Sequence, residues 1–364
     1  MDVWFCKFPL IDSMGGAEKH TLLLANHFSS IGDRIKLVSS DKKLLNLFWT
    51  NGLSAEYRFA GWEPTSGVSL LLWPLTILFA KPVFWSIAKK TTRDSVFFLQ
   101  SLTEKLLLSP MLIKKGGRVF WLEHKIPGRW LKLNPLLKKY LRLSKKVQLV
   151  TVSKFAHKEF VKIGVSPKNI QYIYPGVSVP KNNTAQPTVF TIGILSRLDP
   201  EKGVLSFLNR FLSTLKKNPG WQMIIAGEGK EGLLIKKTIL AHRLSDRVRC
   251  LGFINDLTGF FSKISVLVYP SLVPESFGLA ALESIANKVP VIAPDAGAIS
   301  EIIQHGKTGF LVPLDSKEGW ERCVEAVSSG KVSKEMGERG WFVAQSFSEK
   351  SMLSLFEKLI ERPA

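Results

Sequence analysis

Short runs of apolar and β-branched residues alternate along the chain with longer segments in which apolar residues recur every three or four positions. The short runs predict β-strands, and the longer segments predict α-helices. The strands predicted for the first half are Val3–Phe8, Ile35–Ser39, Val96–Leu99, Arg118–Leu122, Gln148–Val152 and Ile170–Tyr174. Helical patterns between most of them, such as Ala17–Ser29 and Thr103–Lys115, favour βαβ units and a mostly parallel sheet.

The same alternation starts again in the second half of the chain. Residues 178–187 are rich in proline, asparagine and threonine, which predicts a linker. The strands predicted after it are Val189–Leu195, Gln222–Ala226, Arg247–Leu251, Val266–Tyr269, Pro290–Ala293 and Gly309–Val312. We therefore expect two doubly wound α/β domains, residues 1–177 and 188–345, and a closing amphipathic helix within residues 346–364. Ligands of such sheets bind beyond the carboxyl ends of the strands, so the expected site is a cleft between the domains.

Composition narrows the class of protein. The 364 residues are 45% hydrophobic and 22% charged, which is typical of a globular chain and excludes wholesale disorder. The three cysteines, Cys6, Cys250 and Cys323, lie far apart, which excludes a disulfide scaffold and suits a reducing, cytoplasmic compartment. The first ten residues lack a basic segment followed by an apolar run, so we expect no secretory signal peptide.

The net charge of +20 is unevenly distributed. Residues 1–182 carry 28 lysines and arginines against 11 acidic residues, whereas residues 183–364 carry 22 against 19. Such asymmetry indicates a nucleic-acid or membrane surface bound by one half. The densest basic segment, residues 125–146, is interleaved with leucines and predicts a basic amphipathic helix on a membrane surface. A solvated helix face above a core stripe is the alternative.

A second segment bears on the same question. Residues 68–80 contain no charge, but a membrane-spanning helix needs about 20 apolar residues. Extension to Ala88 would include Lys81 and two prolines. We therefore expect a core helix pair or an interfacial helix hairpin rather than a span. Together with the basic charge, this predicts peripheral contact with the inner face of the plasma membrane.

Two glutamates follow a predicted strand within residues 270–294. Glu275 lies in a loop, Gly278 is expected to open a helix, and Glu283 falls on that helix. The N–H groups at a helix start can bind an anion or sugar oxygens. A carboxylate accepts hydrogen bonds from neighbouring hydroxyls, so both glutamates suit a sugar or a ribose. The alternative is a helix with ordinary surface glutamates.

Two cations follow the first predicted strand of the second domain. Arg197 and Lys202 lie in the segment 194–203, between a strand and a helix. Two cations near a helix start can hold a diphosphate without a metal ion. The alternative is that they pair with Asp199 and Glu201 nearby.

Three weaker signals lie at other strand ends. The segment Met14–Glu18 contains adjacent glycines that would let a ligand approach the backbone, and residues 225–229 form a second glycine turn. His124 follows a predicted strand, whereas the other histidines lie in helical patterns or a turn. A lone histidine is more often structural than catalytic, and its position at a strand end favours a role in the site.

These motifs together resemble the retaining, nucleotide-sugar-dependent glycosyltransferases of family 4, the group 1 transferases. The resemblance rests on GGAE (15–18), TVSKF (151–155), YPGVS (174–178), SRLDPEKG (196–203), AGEG (226–229), ESFGLAALE (275–283) and HGKTGFLV (305–312). It implies a GT-B fold, in which two Rossmann-like domains face a central cleft. The first domain would bind the acceptor, the second would bind the nucleotide sugar, and the closing helix would cross back to the first domain.

The resemblance also implies roles for individual residues. Arg197 and Lys202 would hold the donor diphosphate, Glu275 and His124 would contact the donor sugar, and Glu283 would bind the ribose. The implied donor site comprises Gly15, Gly16, Ser196, Arg197, Lys202, Gly227, Glu275, Ser276, Phe277, Gly278, Leu279 and Glu283. The nucleotide-diphosphate sugar, of the UDP or GDP type, would be a co-substrate, and no cofactor or metal is expected. The sequence contains no Asp-x-Asp motif, in agreement with that expectation.

The expected reaction is transfer of a hexose to an acceptor hydroxyl with retention of anomeric configuration. The expected acceptor is a lipid-linked or membrane-proximal glycan or lipid. Two positions depart from the family pattern, because Lys288 replaces a glycine at an expected left-handed helix end and Ser178 replaces an aspartate. A nucleotide-sugar epimerase on the same fold and a non-enzymatic polyanion-binding protein are the alternatives. The chain shows no recognisable nucleic-acid-binding module.

Overall fold

The chain divides into two compact units of α/β structure. The computed structural model describes residues 1–9, 15–180, 187–314 and 316–361, so Met14, residues 181–186 of the predicted linker, and Arg362 lie outside the described residues. The first unit comprises Met1–Pro175 and Met352–Ala364, and the second comprises Gly176–Ser351.

The first unit is built round a parallel sheet, which has seven strands among the described residues. The strands are β1 (Asp2–Lys7), β2 (Arg34–Ser39), β3 (Ala55–Tyr57), β4 (Ser95–Leu99), β5 (Arg118–Glu123), β6 (Gln148–Thr151) and β7 (Ile170–Tyr172). Their spatial order is β3-β2-β1-β4-β5-β6-β7. The order reverses between β1 and β4, and ligands of such sheets bind at the reversal, beyond the carboxyl ends of the strands.

Helices cover both faces of this sheet. They are α1 (Gly16–Ser30), α2 (Lys42–Thr50), α3 (Gly67–Leu71), α4 (Trp73–Lys89), α5 (Leu102–Leu107), α6 (Ser109–Lys114), α7 (Arg129–Lys132), α8 (Leu137–Ser144) and α9 (Lys154–Lys162). Strand β1 shows why the sheet is covered on both sides: Val3 and Phe5 join one buried apolar cluster, while Trp4 and Cys6 join the other. A strand buried on both faces has a continuous apolar sequence, as the pattern of residues 3–6 predicts.

The second unit contains a parallel sheet of the same kind, with six strands among the described residues. They are β8 (Thr191–Leu195), β9 (Gln222–Ala226), β10 (Val248–Gly252), β11 (Val266–Val268), β12 (Val291–Pro294) and β13 (Gly309–Val312), in the order β10-β9-β8-β11-β12-β13. Its helices are α10 (Val204–Lys217), α11 (Gly232–Ala241), α12 (Leu257–Phe261), α13 (Leu279–Ala286), α14 (Lys317–Ser328) and α15 (Gly330–Gln345), and α16 (Glu349–Glu361) follows them in the chain. The strand order reverses between β8 and β11, which brings together the loops that follow these two strands.

Several predicted elements differ from the observed ones. The basic segment 125–146 is not one helix, because the Asn134–Pro135 step separates α7 from α8 and proline at 135 cannot donate to a continuing helix. The predicted helix 103–115 is likewise divided into α5 and α6, with a proline in the first turn of α6. Strand β3 was not predicted, since three residues at a sheet edge, one of them Glu56, carry no alternating apolar pattern.

The closing helix begins at Glu349, within the predicted segment 346–364. The preceding residues stay with the second unit, because Val177 N–H donates to Phe347 O at 2.9 Å and Glu349 N–H donates to Val177 O at 3.2 Å. From Met352 onward the helix belongs to the first unit, where Phe356 and Ile360 are buried in its core. In the structure, the second unit therefore extends to Ser351.

Lys288 takes the left-handed backbone that the sequence predicts for the end of α13, with φ at +60°. A side chain in this conformation costs about 1–2 kcal/mol relative to ordinary backbone. The Lys288 ammonium lies 3.0 Å from a carboxylate oxygen of Glu338, an ion pair that a glycine could not make.

Candidate active site

The loops after β8 and β11 bring a lysine and a glutamate together. Lys202 Nζ donates to Glu275 Oε1 at 2.6 Å. Both side chains are largely buried, with exposed fractions of 16% for Lys202 and 13% for Glu275. The pair therefore lies at the strand-order reversal of the second sheet, and both residues are among those predicted from the sequence.

Two further side chains hold the Glu275 carboxylate. Ser271 Oγ donates to Glu275 Oε1 at 2.7 Å, and the Tyr269 hydroxyl also hydrogen-bonds this carboxylate. Burial, together with the negative charge of Glu275, raises the pKa of Tyr269 well above its usual value, so this phenol stays a hydrogen-bond donor. Tyr269 and Ser271 are not among the site residues predicted from the sequence. Their positions directly after β11, on the loop that carries Glu275, were the available signal.

Glycines allow the backbone of these loops to pack closely. Gly203 has a φ of +65°, and a Cβ there would lie 2.2 Å from Pro270 O. Gly297 has a φ of +72°, and a Cβ there would lie 2.4 Å from Glu275 O. The neighbouring Ala298 N–H donates to the same Glu275 carbonyl at 3.0 Å. The loops after β8, β11 and β12 thus interlock, and this fixes the backbone of Glu275.

The loop after β8 also packs against the glycine turn after β9. Ser196 N–H donates to Ala226 O at 3.1 Å, and Leu198 N–H donates to Glu228 O at 2.9 Å. A Cβ at Gly227 would overlap Ser196 O, so close approach of the two backbones requires glycine at 227. Ser196 and Gly227, both predicted as site residues, therefore lie together.

The segment that follows Glu275 turns into α13. Phe277 is buried, Gly278 precedes the first helical residue Leu279, and Glu283 lies half-buried on the helix. The first N–H groups of a helix have no partner within the helix, so the start of α13 at Leu279 is suited to bind anionic or hydroxyl oxygens.

Arg197 pairs with the nearby acidic residues, which is the alternative that the sequence also allows. Its guanidinium pairs with Asp199 and, at 2.9 Å, with Glu201 Oε1. About half of the side chain, 53%, is exposed. Both pairs are local, and the one with Glu201 is exposed on both sides, so they hold the half-exposed Arg197 only weakly.

The first unit has a buried ionic cluster at the carboxyl end of β1. Lys7 Nζ pairs with Glu18 and, at 2.9 Å, with Asp41 Oδ2. Neighbouring charges of Glu18 and Asp41 raise the pKa of Lys7 despite its burial, which by itself would lower it. Gly15 caps α1 and Gly16 is its first residue. Within the described residues a Cβ at Gly15 would make only an ordinary contact, so packing there does not require glycine.

His124 lies directly after β5 and forms a hydrogen bond with a second histidine. His20 Nδ1 and His124 Nε2 are 3.0 Å apart. Burial lowers the pKa of His20 to about 4, and burial, His20 and nearby lysines lower the pKa of His124 well below its usual value. Both rings are therefore neutral at pH 7. His20 is not among the predicted site residues, although its position within the first turns of α1 places it at the same end of the sheet.

A second buried ion pair lies next to this histidine. Lys105 Nζ is 2.8 Å from Glu123 Oε1, and the Tyr140 hydroxyl donates to the same oxygen at 2.7 Å. This arrangement fixes the end of β5 immediately before His124.

The described residues contain neither a metal-binding cluster nor a membrane-spanning helix. No group of three or more histidine, cysteine, aspartate or glutamate side chains in the described ranges is placed to hold a metal ion. Within the same part of the chain, each helix is too short or too polar to cross a bilayer.

Comparison with known proteins identifies the family. Residues 179–358 match the family described as glycosyl transferases group 1. Over these residues, the chain belongs to the group 1 glycosyl transferases. The family segment contains the Lys202–Glu275 pair and the loops that position it.

Relatives and solved structures extend this result. This chain is 30% identical over 146 residues to the lipopolysaccharide core biosynthesis mannosyltransferase LpcC of Rhizobium leguminosarum, and the match covers 39% of this chain and 41% of LpcC. An uncharacterized glycosyltransferase of Haemophilus influenzae is 22% identical to this chain. The match covers 96% of each of the two proteins. The chain spans less than half the length of the first curated relatives that it matches.

The crystal structure of HepE from Anabaena in complex with UDP superimposes with a TM-score of 0.81 at 18% identity, covering 99% of this chain and 100% of HepE. The chain therefore has the GT-B glycosyltransferase fold, which confirms the predicted fold class.

Proposed function

We propose that this protein transfers a hexose from a nucleoside-diphosphate sugar to an acceptor hydroxyl with retention of anomeric configuration. The observation that carries the proposal is the Lys202–Glu275 pair. A cation and a carboxylate lie together at the ligand-binding end of the second sheet, on interlocked loops, within a group 1 transferase segment. Such a pair suits a ligand that has a diphosphate at one end and sugar hydroxyls at the other.

The donor is bound by the second unit. Lys202 has three donor hydrogens, so it can keep Glu275 and also contact a phosphate oxygen. Arg197 exchanges its weak pairs with Asp199 and Glu201 for the diphosphate. Glu275 accepts from a sugar hydroxyl, Glu283 accepts from the ribose, and the N–H groups at the start of α13 donate to the nucleotide sugar.

The proposed reaction needs no protein nucleophile. The acceptor oxygen attacks the anomeric carbon on the face that the diphosphate leaves, which retains the configuration. The bond between the anomeric carbon and the phosphate oxygen breaks, and the leaving oxygen takes the acceptor's proton. Lys202 and Arg197 stabilise the negative charge that develops on the diphosphate, so we propose that no metal ion is required.

The relatives support the choice of donor. HepE was crystallised with UDP, and LpcC is a mannosyltransferase of lipopolysaccharide core biosynthesis. A UDP-hexose or GDP-hexose is therefore the proposed co-substrate. HepE resembles this chain at 18% identity, which supports the fold more strongly than the nucleotide.

The first unit has the proposed role of binding the acceptor. We propose a lipid-linked or membrane-proximal glycan or lipid, handled in the cytoplasm by a protein in peripheral contact with an anionic membrane. Residues 1–182 carry 28 basic against 11 acidic residues, and this excess of positive charge supports the contact. We further propose that His124 hydrogen-bonds the donor sugar during transfer and that Gly15 and Gly16 let a ligand approach the start of α1.

The test combines binding with product analysis. Thermal shifts against UDP, GDP and their hexoses, in buffer containing a chelator, should show stabilisation by one nucleotide series. Arg197→Ala should weaken that shift, and Glu275→Gln should reduce the gain of the nucleotide sugar over the bare nucleotide. Proton NMR of the product should show the anomeric configuration of the donor. A folded protein that responds to no nucleotide would contradict the proposal, and inversion would contradict its mechanism.

A further inference from the structure

Helices α3 and α4 of the first unit are apolar on two opposite sides. One side packs into the core, where Ala80, Phe84 and Ile87 are buried. The other side is exposed at the spacing of helical turns. Its large apolar residues and their exposed fractions are Val68 (70%), Leu71 (83%), Leu75 (46%), Leu78 (65%) and Trp85 (57%). The solvent side of a helix is normally polar, so a continuous exposed apolar stripe marks an interaction surface.

Within the segment that carries this stripe, residues 64–93, all charged residues are basic, and Glu63 and Asp94 lie at its two borders. Residues 64–93 include Lys81, Lys89, Lys90 and Arg93 and no aspartate or glutamate. The three lysines are exposed, and Lys89 Nζ lies 3.4 Å from the centre of the Trp85 ring. A tryptophan beside a lysine at the end of an apolar stripe has the amphipathic character that suits the boundary between water and lipid.

The dimensions of α4 favour a position along a membrane surface. Its 17 residues extend about 26 Å, which is shorter than the hydrocarbon core of roughly 30 Å. Lys81 lies exposed in the middle of the helix, and the opposite side is committed to the core of the unit. The helix can therefore contact a bilayer only with one side.

We propose that the α3–α4 face, defined as Val68, Leu71, Leu75, Leu78 and Trp85, inserts into the headgroup and acyl boundary of an anionic membrane. This inference deepens the peripheral contact proposed above and rests on it. Lysines along the border pair with anionic headgroups, while the apolar side chains leave water. A second copy of the chain is a less suitable partner for this face. A symmetric contact would bring the same lysines of two copies together, and residues 64–93 contain no carboxylate to neutralise them.

Insertion and electrostatic attraction have different signatures. The basic residues of α8, such as Lys138 and Arg142, attract anionic lipid without entering it, and salt screens this attraction. Burial of the α3–α4 face contributes a component that salt does not screen. Vesicle binding measured at low and high salt therefore separates the two contributions.

The experiment compares a triple variant with a matched control. Leu71→Gln, Leu75→Gln and Leu78→Gln together remove apolar side chains from the α3–α4 face and keep a good helix former at each position. Leu233→Gln with Leu240→Gln, on α11 of the second unit, removes residues that are similarly exposed, at 67% and 70%. Both proteins and the wild type are sedimented with phosphatidylcholine vesicles, with and without phosphatidylglycerol.

We expect the partition coefficient of the triple variant into vesicles with phosphatidylglycerol to be lower than that of the wild type by roughly tenfold or more. High salt should abolish the binding that remains. The control should bind like the wild type. Equal binding of the triple variant and the wild type would overturn the insertion but not the peripheral contact, and absence of wild-type binding would overturn both. A wild-type dimer that becomes monomeric in the triple variant, without vesicle binding, would assign the face to a second copy instead. UDP binding by each variant reports the donor site separately.

Discussion

Lys202 and Glu275 are 73 residues apart in sequence, and the lysine Nζ lies 2.6 Å from the glutamate Oε1. The contact exists because the sheet order reverses between β8 and β11, so the loops after these strands become neighbours. Leu272 N–H donates to Glu201 O at 2.9 Å and ties the same two loops together through their backbones. The pair is thus held by the loops on both sides, and its geometry is set before a ligand arrives.

Substitution of the lysine tests its part in donor binding. Lys202→Met keeps the length of the side chain and removes its charge. We expect the dissociation constant for the preferred nucleoside diphosphate to rise roughly 10- to 100-fold, since a hydrogen bond to a charged group is worth about 1.5–3 kcal/mol. Isothermal titration calorimetry measures the change. Lys237→Met, an exposed lysine on α11, is the control, and equal affinity in both variants would remove Lys202 from the site.

Substitution of the tyrosine tests how Glu275 is held. Tyr269→Phe removes one hydrogen bond to the carboxylate and leaves that of Ser271 in place. We expect kcat to fall about fivefold, because a hydrogen bond of this kind contributes about 1 kcal/mol to the position of its acceptor. The affinity for the bare nucleotide should not change. If nucleotide affinity falls instead, Tyr269 acts on the diphosphate side of the site.

The glycine at 297 has a matched partner in Gly306. Their φ values are +72° and +73°, but a Cβ at 297 would lie 2.4 Å from Glu275 O, whereas a Cβ at 306 meets nothing within 4 Å. In both alanine variants the left-handed backbone is strained. The difference in stability between them therefore reports the steric overlap of the Cβ at 297 with Glu275 O. We expect Gly297→Ala to have the lower Tm by several degrees and the weaker binding of nucleotide sugar. Equal Tm values would mean that the loop carrying Glu275 shifts at no cost.

Much of this site could be predicted from the sequence. Arg197, Lys202, Glu275 and Gly278 lie in the segments that follow predicted strands, and the carboxyl ends of parallel strands share one edge of a sheet. The partners of these residues were harder to predict. Tyr269 ends an apolar run and looks like a core residue, since a phenol can bury its ring while its hydroxyl bonds a carboxylate. The pairing of Arg197 with Asp199 and Glu201 depends on loop conformation, which residue spacing leaves open.

Some features of the first unit could likewise not be predicted from the sequence pattern. The apolar composition of residues 68–88 predicts helices with a core side, and the structure has them in α3 and α4. The second apolar side, which includes Leu71 and Leu78, becomes visible only when the core side is known. The predicted helix over 125–146 was wrong for a local reason, the proline at 135, whose effect the regular spacing of leucines and basic residues obscured.

The contact between His20 and His124 predicts an indirect effect on turnover. His20→Phe keeps a ring that can pack against Phe356 and removes the hydrogen bond to His124. If His124 acts on the donor sugar, its orientation loosens and kcat should fall about tenfold with little change in nucleotide affinity. His20→Gln, which retains a hydrogen-bonding group, should recover part of the loss. His242→Phe, on the surface of the second unit, is the control, and unchanged kcat in His20→Phe would exclude a positioning role.

Glu104 predicts how stability depends on pH. The side chain is fully buried near the start of α5, where its Oε1 accepts from the N–H groups of Gln100 and Ser101. Within the described residues its Oε2 has no hydrogen-bond partner. Burial is the main cause that raises the pKa of Glu104 to about 8, with a contribution from Glu63, against a partly opposing effect of Lys105. The folded protein therefore holds this proton up to about pH 8.

An unfolded chain loses the same proton near pH 4.5, the ordinary value for glutamate. Between about pH 4.5 and 8 the unfolded state binds fewer protons than the folded state, so this group lowers the stability of the fold as pH rises. Glu104→Gln keeps the shape and the Oε1 acceptor but cannot ionise. The Tm of the variant relative to the wild type should therefore rise steadily from pH 5 to pH 8, as measured by calorimetry. His20 and His124 also titrate differently on unfolding, but they are common to both proteins and cancel in the difference. The exposed Glu318→Gln should give a flat difference, and a flat difference for Glu104→Gln as well would mean that Glu104 is ionised in the folded protein at neutral pH.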